Sequence, residues 1–137
     1  MMGRMLLATL ALLASQTSAI AQHMNQPNAP CRDKVVTADA FSCFANATGA
    51  ADARIEKQLS HIKRTLDPSE IAALERSQSL WLQFRDADCS AERGLYGNGT
   101  GGPVTYQACL EALDRDRLAD LDAAYGWRLS KRGEPSN

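Results

Sequence analysis

Apolar residues recur along this chain at helical spacing, and nowhere do they alternate as a half-buried strand requires. Ala51, Ile55, Leu59, Ile62 and Leu66 fall on one face of a helix that begins near Ala50, with Lys57, Lys63 and Arg64 off that face. Asp67-Pro68-Ser69-Glu70 then reads as a helix start: an aspartate to cap, a proline at the first helical position and a glutamate at the third. The second helix runs to about Arg93, with Ile71, Leu74, Trp81 and Phe84 on its buried side, and Gly94 is its natural stop. Pro103 opens another long helix. Tyr106, Cys109, Leu110, Leu113, Leu121 and Tyr125 give it a core stripe that Leu118 and Leu129 broaden. Upstream, "TADAFSCFANA" predicts a short helix capped by Thr37, with Phe41 and Phe44 on one side, interrupted at Thr48-Gly49. The fold class expected is all-α: a small antiparallel bundle of two long helices, one shorter helix and a short N-terminal helical element.

The first 21 residues stand apart from that pattern. "MMGRMLLATLALLASQTSAIA" has a basic start at Arg4, an apolar run from Met5 to Ala14 and a small-residue ending, Ala19-Ile20-Ala21. That order is the mark of a secretory signal peptide, with cleavage expected after Ala21. The run is too short to span a bilayer core of roughly 30 Å as a helix. Residues 22–30 read as a flexible polar leader, 31–130 as one helical domain and 131–137 as a flexible tail. Without Arg4, 14 basic side chains face 16 acidic ones. Such a balance lacks the basic stripe of a nucleic-acid binder, and no remaining segment is apolar enough for stable membrane insertion. The expected location is periplasmic or secreted.

Export changes the meaning of the cysteines. In an oxidising space they pair, and Cys31, Cys43, Cys89 and Cys109 leave none over. Three connectivities are open to four cysteines. Sequential pairing, Cys31 with Cys43 and Cys89 with Cys109, is favoured because each pair brackets one local connection. The second bracket encloses "GLYGNGTGGP", residues 94–103, in which five of ten residues are glycine. Helix–helix connections of about 2–8 residues suffice in bundles, so a ten-residue reversal asks for a further reason.

Catalytic and cofactor motifs are sparse. "GNGTGG" fits a dinucleotide-binding glycine pattern, but a helix rather than a strand precedes it. "SHIK" at 60–63 fits one motif of penicillin-recognising enzymes without its companions, and Ile62 places it in an ordinary amphipathic helix. His23 and His61 join no metal-ligand grouping, and cysteines used in bridges leave no metal site and no cofactor to expect. Asp86, Asp88 and Glu92 share a helix end and read as solvated charges. "NAT" at 46 and "NGT" at 98 are glycosylation acceptor patterns, relevant only in a host that modifies exported proteins. The expectation is a protein that is not an enzyme.

The densest stretch is "WLQFRDADC", 81–89. Trp81 and Arg85 lie four apart, so the guanidinium can cover the indole. Trp81 and Phe84 are expected in the core, and Arg85 is expected to pair with an acid on a neighbouring helix. The series of an N-terminal cysteine segment, a helix opening with Ala51-Asp52, "W-x-x-F-R-D-x-x-C", a Gly-Gly connection and "ACLEALDRDRLADL" resembles the LprI-type lysozyme inhibitor domain family. The likeness spans roughly residues 31 to 125, carried mainly by Trp81, Phe84, Arg85, Asp86, Cys89 and Cys109. Two features depart from the family pattern. "ARIEKQL" stands where a leucine-asparagine pair and a tyrosine are usual, and no attachment cysteine follows the signal, which implies a soluble rather than a tethered protein.

The resemblance implies a protein partner, a lysozyme. The residues themselves suggest how it would be met: a projecting loop held at its base by a bridge can enter and occlude a narrow enzyme cleft, which a helix face is too broad to do. On that reading the glycine-rich loop 94–103 is the plug, with Leu95, Tyr96, Asn98 and Thr100 as candidate contacts. Two rival readings stand beside it. One is an envelope interaction module using the acidic face of the last helix around Glu111, Asp114, Asp120 and Asp122. The other is an immunity-type inhibitor of a wall-degrading toxin. The sequence leaves the oligomeric state open.

Overall fold

The apolar face that begins at Ala51 reaches further back than its spacing predicts. In the computed structural model, which describes residues 22–133, α1 is one helix of 27 residues, Thr37–Lys63. The expected interruption at Thr48-Gly49 is absent because a contact with α3 takes up the threonine hydroxyl. Thr48 is buried, and its hydroxyl donates to the Gln107 carbonyl at 3.1 Å; Gly49 faces open space, so nothing there diverts the backbone. The short N-terminal element and the shorter helix are therefore a single element. Its N-cap is Val36, with no side-chain cap, so Thr37 is the first helical residue rather than the cap. The signal-peptide expectation (1–21) and the last residues of the expected tail (134–137) lie outside the described residues.

After a tight turn, in which the Thr65 hydroxyl donates to the Ile62 carbonyl at 2.8 Å, α2 spans Pro68–Gly94. Its start is as the sequence reads. Asp67 Oδ1 accepts from the backbone N–H of Ser69 and Glu70, both at 2.9 Å, and Glu70 Oε2 accepts from the Asp67 N–H at 3.1 Å. A reciprocal cap of this kind is worth about 1 kcal/mol. The last helix, α3, spans Gly101–Lys131 and is the longest at 31 residues.

α2 runs antiparallel to both neighbours, which leaves α1 and α3 parallel. α3 is the central element: α1 packs along it most extensively and α2 second, while the α1 and α2 backbones barely approach one another. Ile55 and Ile62 of α1, Leu74 of α2, and Leu118, Leu121 and Leu129 of α3 form one core cluster, with Leu59, Leu66, Trp81 and Tyr125 packed on it. A second cluster joins Ala40 and Phe44 to Val104 and Ala108, together with Ala29 and Cys31 from upstream of α1.

Those last two residues show where the leader lies. Residues 22–30, expected as a flexible leader, are placed against α3 with one turn of 3₁₀ helix at His23–Asn25. Ala29 is buried and Met24 packs on the same cluster. The segment is held to α1 by the Cys31–Cys43 bridge and to α2 by His23 Nδ1, 2.6 Å from Glu92 Oε2. Cys89 and Cys109 form the second bridge, both buried, so the pairing is sequential. No helix among the described residues is long and apolar enough to cross a membrane.

Candidate functional site

Two groups of residues were singled out by sequence, and the structure treats them differently. In the 81–89 block, inward positions of α2 follow 74, 78, 81, 85, 89 and 92. Trp81 is half-buried and packs on the main core cluster. Two guanidinium groups lie against its ring, Arg85 at 5.2 Å and Arg117 at 5.5 Å from the centroid. Phe84 is the exception: it is 55% exposed. One residue further on, Arg85 takes the inward seat, and a 100° turn of the helix carries Phe84 out to solvent. The expectation that Phe84 is core is thus corrected.

Arg85 occupies that seat because two carboxylates meet it there. Its Nη1 donates to Asp52 Oδ1 of α1 at 2.7 Å and to Asp114 Oδ1 of α3, so one side chain of α2 joins all three helices. Asp114 is fully buried, and its Oδ2 has no hydrogen-bond partner among the described residues. Burial raises its pKa to about 6 despite Arg85. For Arg85, burial alone lowers the pKa, but the hydrogen bonds and charges of Asp114 and Asp52 outweigh it, and the guanidinium is held more firmly protonated than usual. Asp86 points elsewhere: its Oδ1 accepts from the Tyr106 hydroxyl at 2.6 Å, a bond that raises the phenol pKa. Arg93 covers the Tyr106 ring at 6.0 Å. The block is a junction between helices and contains no arrangement of nucleophile and base.

The same contacts correct the acidic-face reading of α3. Asp114 is buried against Arg85, and the largely buried Glu111 is bonded by Arg115 at 3.0 and 3.2 Å. Of the four carboxylates proposed for that face, only Asp120 and, in part, Asp122 reach solvent.

The glycine-rich connection is shorter than its sequence suggests. Gly94 closes α2, and Gly101 and Gly102 already belong to α3, so the link is the six residues Leu95–Thr100. That length is ordinary for a helix pair. Gly94 is helical rather than left-handed; the left-handed residue is Gly97, at φ +53°. The Gly99 N–H bonds to the Tyr96 carbonyl at 2.9 Å, and the Gly102 N–H to the Gly99 carbonyl at 3.2 Å, so the link is a series of turns. Tyr96 folds back over the start of α3: a Cβ on Gly101 would stand 2.9 Å from its ring. Tyr96 is therefore half-buried, whereas Leu95, Asn98 and Thr100 are exposed, Leu95 at 84%.

The structure also gathers residues that the sequence keeps apart. Thr100, Pro103 and Val104 line a shallow depression of about 530 Å³ together with Thr37, Ala38, Phe41 and Ser42 of α1. The start of α1 and the α2–α3 link thus share one end of the molecule. Val35, 95% exposed, Val36 and Phe41 add apolar surface there. A bridge stands behind each contributing segment, Cys31–Cys43 and Cys89–Cys109. His23, Glu92 and Cys109 bring donor atoms within 4.8 Å of one another. Cys109 sulfur is already bonded to Cys89, so only two ordinary metal ligands remain in that group. The sequence signal that could have found the shared end is the unpaired apolar run Val35-Val36, which no helical face explains.

The profile of a family described as "Lysozyme inhibitor LprI" matches residues 31–121, from the first cysteine into the middle of α3. The chain belongs to the LprI family. Its match includes both bridges and the whole Arg85 junction. A protein of Rhizobium meliloti (strain 1021), described as uncharacterized protein R02472, is 27% identical to it over 109 residues, covering 70% of this chain and 78% of its own. No solved structure matches the chain. The two bridges and the LprI membership fit an extracytoplasmic protein with a protein partner.

Proposed function

We propose that this LprI-family chain is a periplasmic inhibitor of a lysozyme-type muramidase. It acts by laying one end of the molecule over the mouth of the enzyme's cleft. The contact surface is the Leu95–Thr100 link joined by the start of α1, with Leu95, Asn98 and Thr100 reaching outward beside Val35, Val36 and Phe41. Tyr96 supports the link from beneath. The observation that carries this reading is the partly apolar depression at one end of the molecule, with a bridge in each segment that forms it. Lysozymes cleave glycans with two carboxylates that flank the bond, so a binder that covers the cleft stops hydrolysis without any chemistry of its own. A surface held in place before binding loses less conformational entropy when it docks.

The test is clearing of cell walls by c-type, g-type and i-type lysozymes across a concentration series of the oxidised mature protein. Dose-dependent inhibition of one class is expected. Leu95→Asp with Phe41→Asp should raise the half-inhibitory concentration at least tenfold while helicity stays unchanged. Inhibition that survives both substitutions moves the contact elsewhere, and the absence of inhibition at micromolar excess against all three classes removes the proposal.

A further inference from the structure

Beside its inward positions, α2 carries a second, largely apolar row that stays exposed. Ala73, Ser77, Leu80, Phe84, Ala87 and Ala91 are all exposed, Leu80 at 57%. Their spacing alternates 4, 3, 4, 3, 4, the seam by which one helix packs against another. None of the six is charged. A single exposed leucine means little, but a continuous row with a leucine and a phenylalanine at its centre marks a contact surface.

The order of residues along the row says what that contact is. Read from either end, the row gives the same sizes: alanine, then a small residue, then a large one. Laid antiparallel on a second copy about a two-fold axis near Leu82, Leu80 meets Phe84, Ser77 meets Ala87 and Ala73 meets Ala91. Each large residue falls opposite a large one and each small residue opposite a small one. Self-complementarity of this kind is what a two-fold interface demands. On one flank Arg76 falls near Ser90 of the other copy and Gln83 near its own equivalent, so like charges are not brought together there. With the stems of Arg76 and Gln83 the row offers roughly 500 Å² per copy, and a pair reaches the ~1,000 Å² from which specific interfaces start.

We infer that the protein forms a two-fold dimer through the Ala73–Ala91 row of α2, with the two α2 helices antiparallel. Phe84, exposed in the monomer, is then buried where two copies meet. The row runs along the side of α2, apart from the depression at the start of α1, so each copy keeps its own inhibitory end.

Sedimentation equilibrium of the oxidised mature protein tests this, with far-UV circular dichroism as the control for folding. A dimer at tens of micromolar is expected. Leu80→Glu alone and Phe84→Lys alone should each shift the protein to monomer at that concentration. Mixing those two variants should restore a dimer. The antiparallel register sets the carboxylate introduced in one variant opposite the ammonium introduced in the other, and it leaves the second Leu80–Phe84 contact intact. A wild-type protein that stays monomeric at 200 µM overturns the inference. So does a dimer that survives both single substitutions. Failure of the mixture to pair, when the wild type dimerises, overturns the antiparallel register. A monomer whose inhibition of lysozyme is abolished by Phe84→Lys would assign the row to the target instead.

Discussion

At Arg85 one guanidinium answers carboxylates from two other helices, and the cost of that arrangement falls on Asp114. A carboxylate whose pKa is raised in the folded state binds a proton that the unfolded chain does not hold, between the ordinary value of 3.8 and about 6. Its contribution to stability is therefore greatest below pH 4, declines as pH rises towards 6, and is constant above. Asp114→Asn removes that dependence. Urea denaturation of both proteins at pH 4, 5, 6 and 7 should show the wild type losing ~2 kcal/mol relative to the variant across this window, with no further change above it. A difference that does not vary with pH would mean that Arg85 holds the carboxylate fully ionised. The exposed Asp67 and Asp33 have pKa values lowered by their hydrogen bonds, so they act below this window and do not obscure it.

At the scale of elements, the α2–α3 connection separates glycines that look alike in sequence. Gly94 is a helical residue with nothing within 4 Å of an added Cβ, whereas Gly97 sits at φ +53°. Alanine at 94 reduces the freedom of the unfolded chain and should stabilise by about 0.5–1 kcal/mol. Alanine at 97 meets left-handed strain and should destabilise by about 1 kcal/mol. Thermal unfolding of the two variants should move the melting temperature in opposite directions; a shift of the same sign in both would refute the turn geometry. Read as ten residues, the link demands a functional excuse for its length. With three of its glycines absorbed into helices it needs none, and its functional interest lies in what stands beside it.

At the scale of the whole molecule, the leader helps to hold the helices together. Bridged to α1, hydrogen-bonded to α2 and laid on α3, residues 22–31 touch every helix. Deleting 22–30 removes the burial of Met24 and Ala29 and the His23–Glu92 contact, and should lower stability by about 2 kcal/mol. A flexible leader would leave the unfolding midpoint in urea unchanged. The sequence by itself determined the helical class, the start of α2 at Asp67, the apolar faces of α1 and α3, the family and the i,i+4 placement of Arg85 beside Trp81, and it favoured the sequential bridges. Each rests on interactions among residues near in the chain or on a periodic pattern, which local chemistry dictates. Only the tertiary structure decided that Thr48 would pass as helix, because the acceptor for its hydroxyl is Gln107, 59 residues away. It also decided that Arg85 rather than Phe84 faces inward, since the carboxylates that draw it in come from two other helices. The same holds for the meeting of Val35, Val36 and Phe41 with the α2–α3 link: no spacing along the chain encodes a neighbourhood that two bridges and a central helix create.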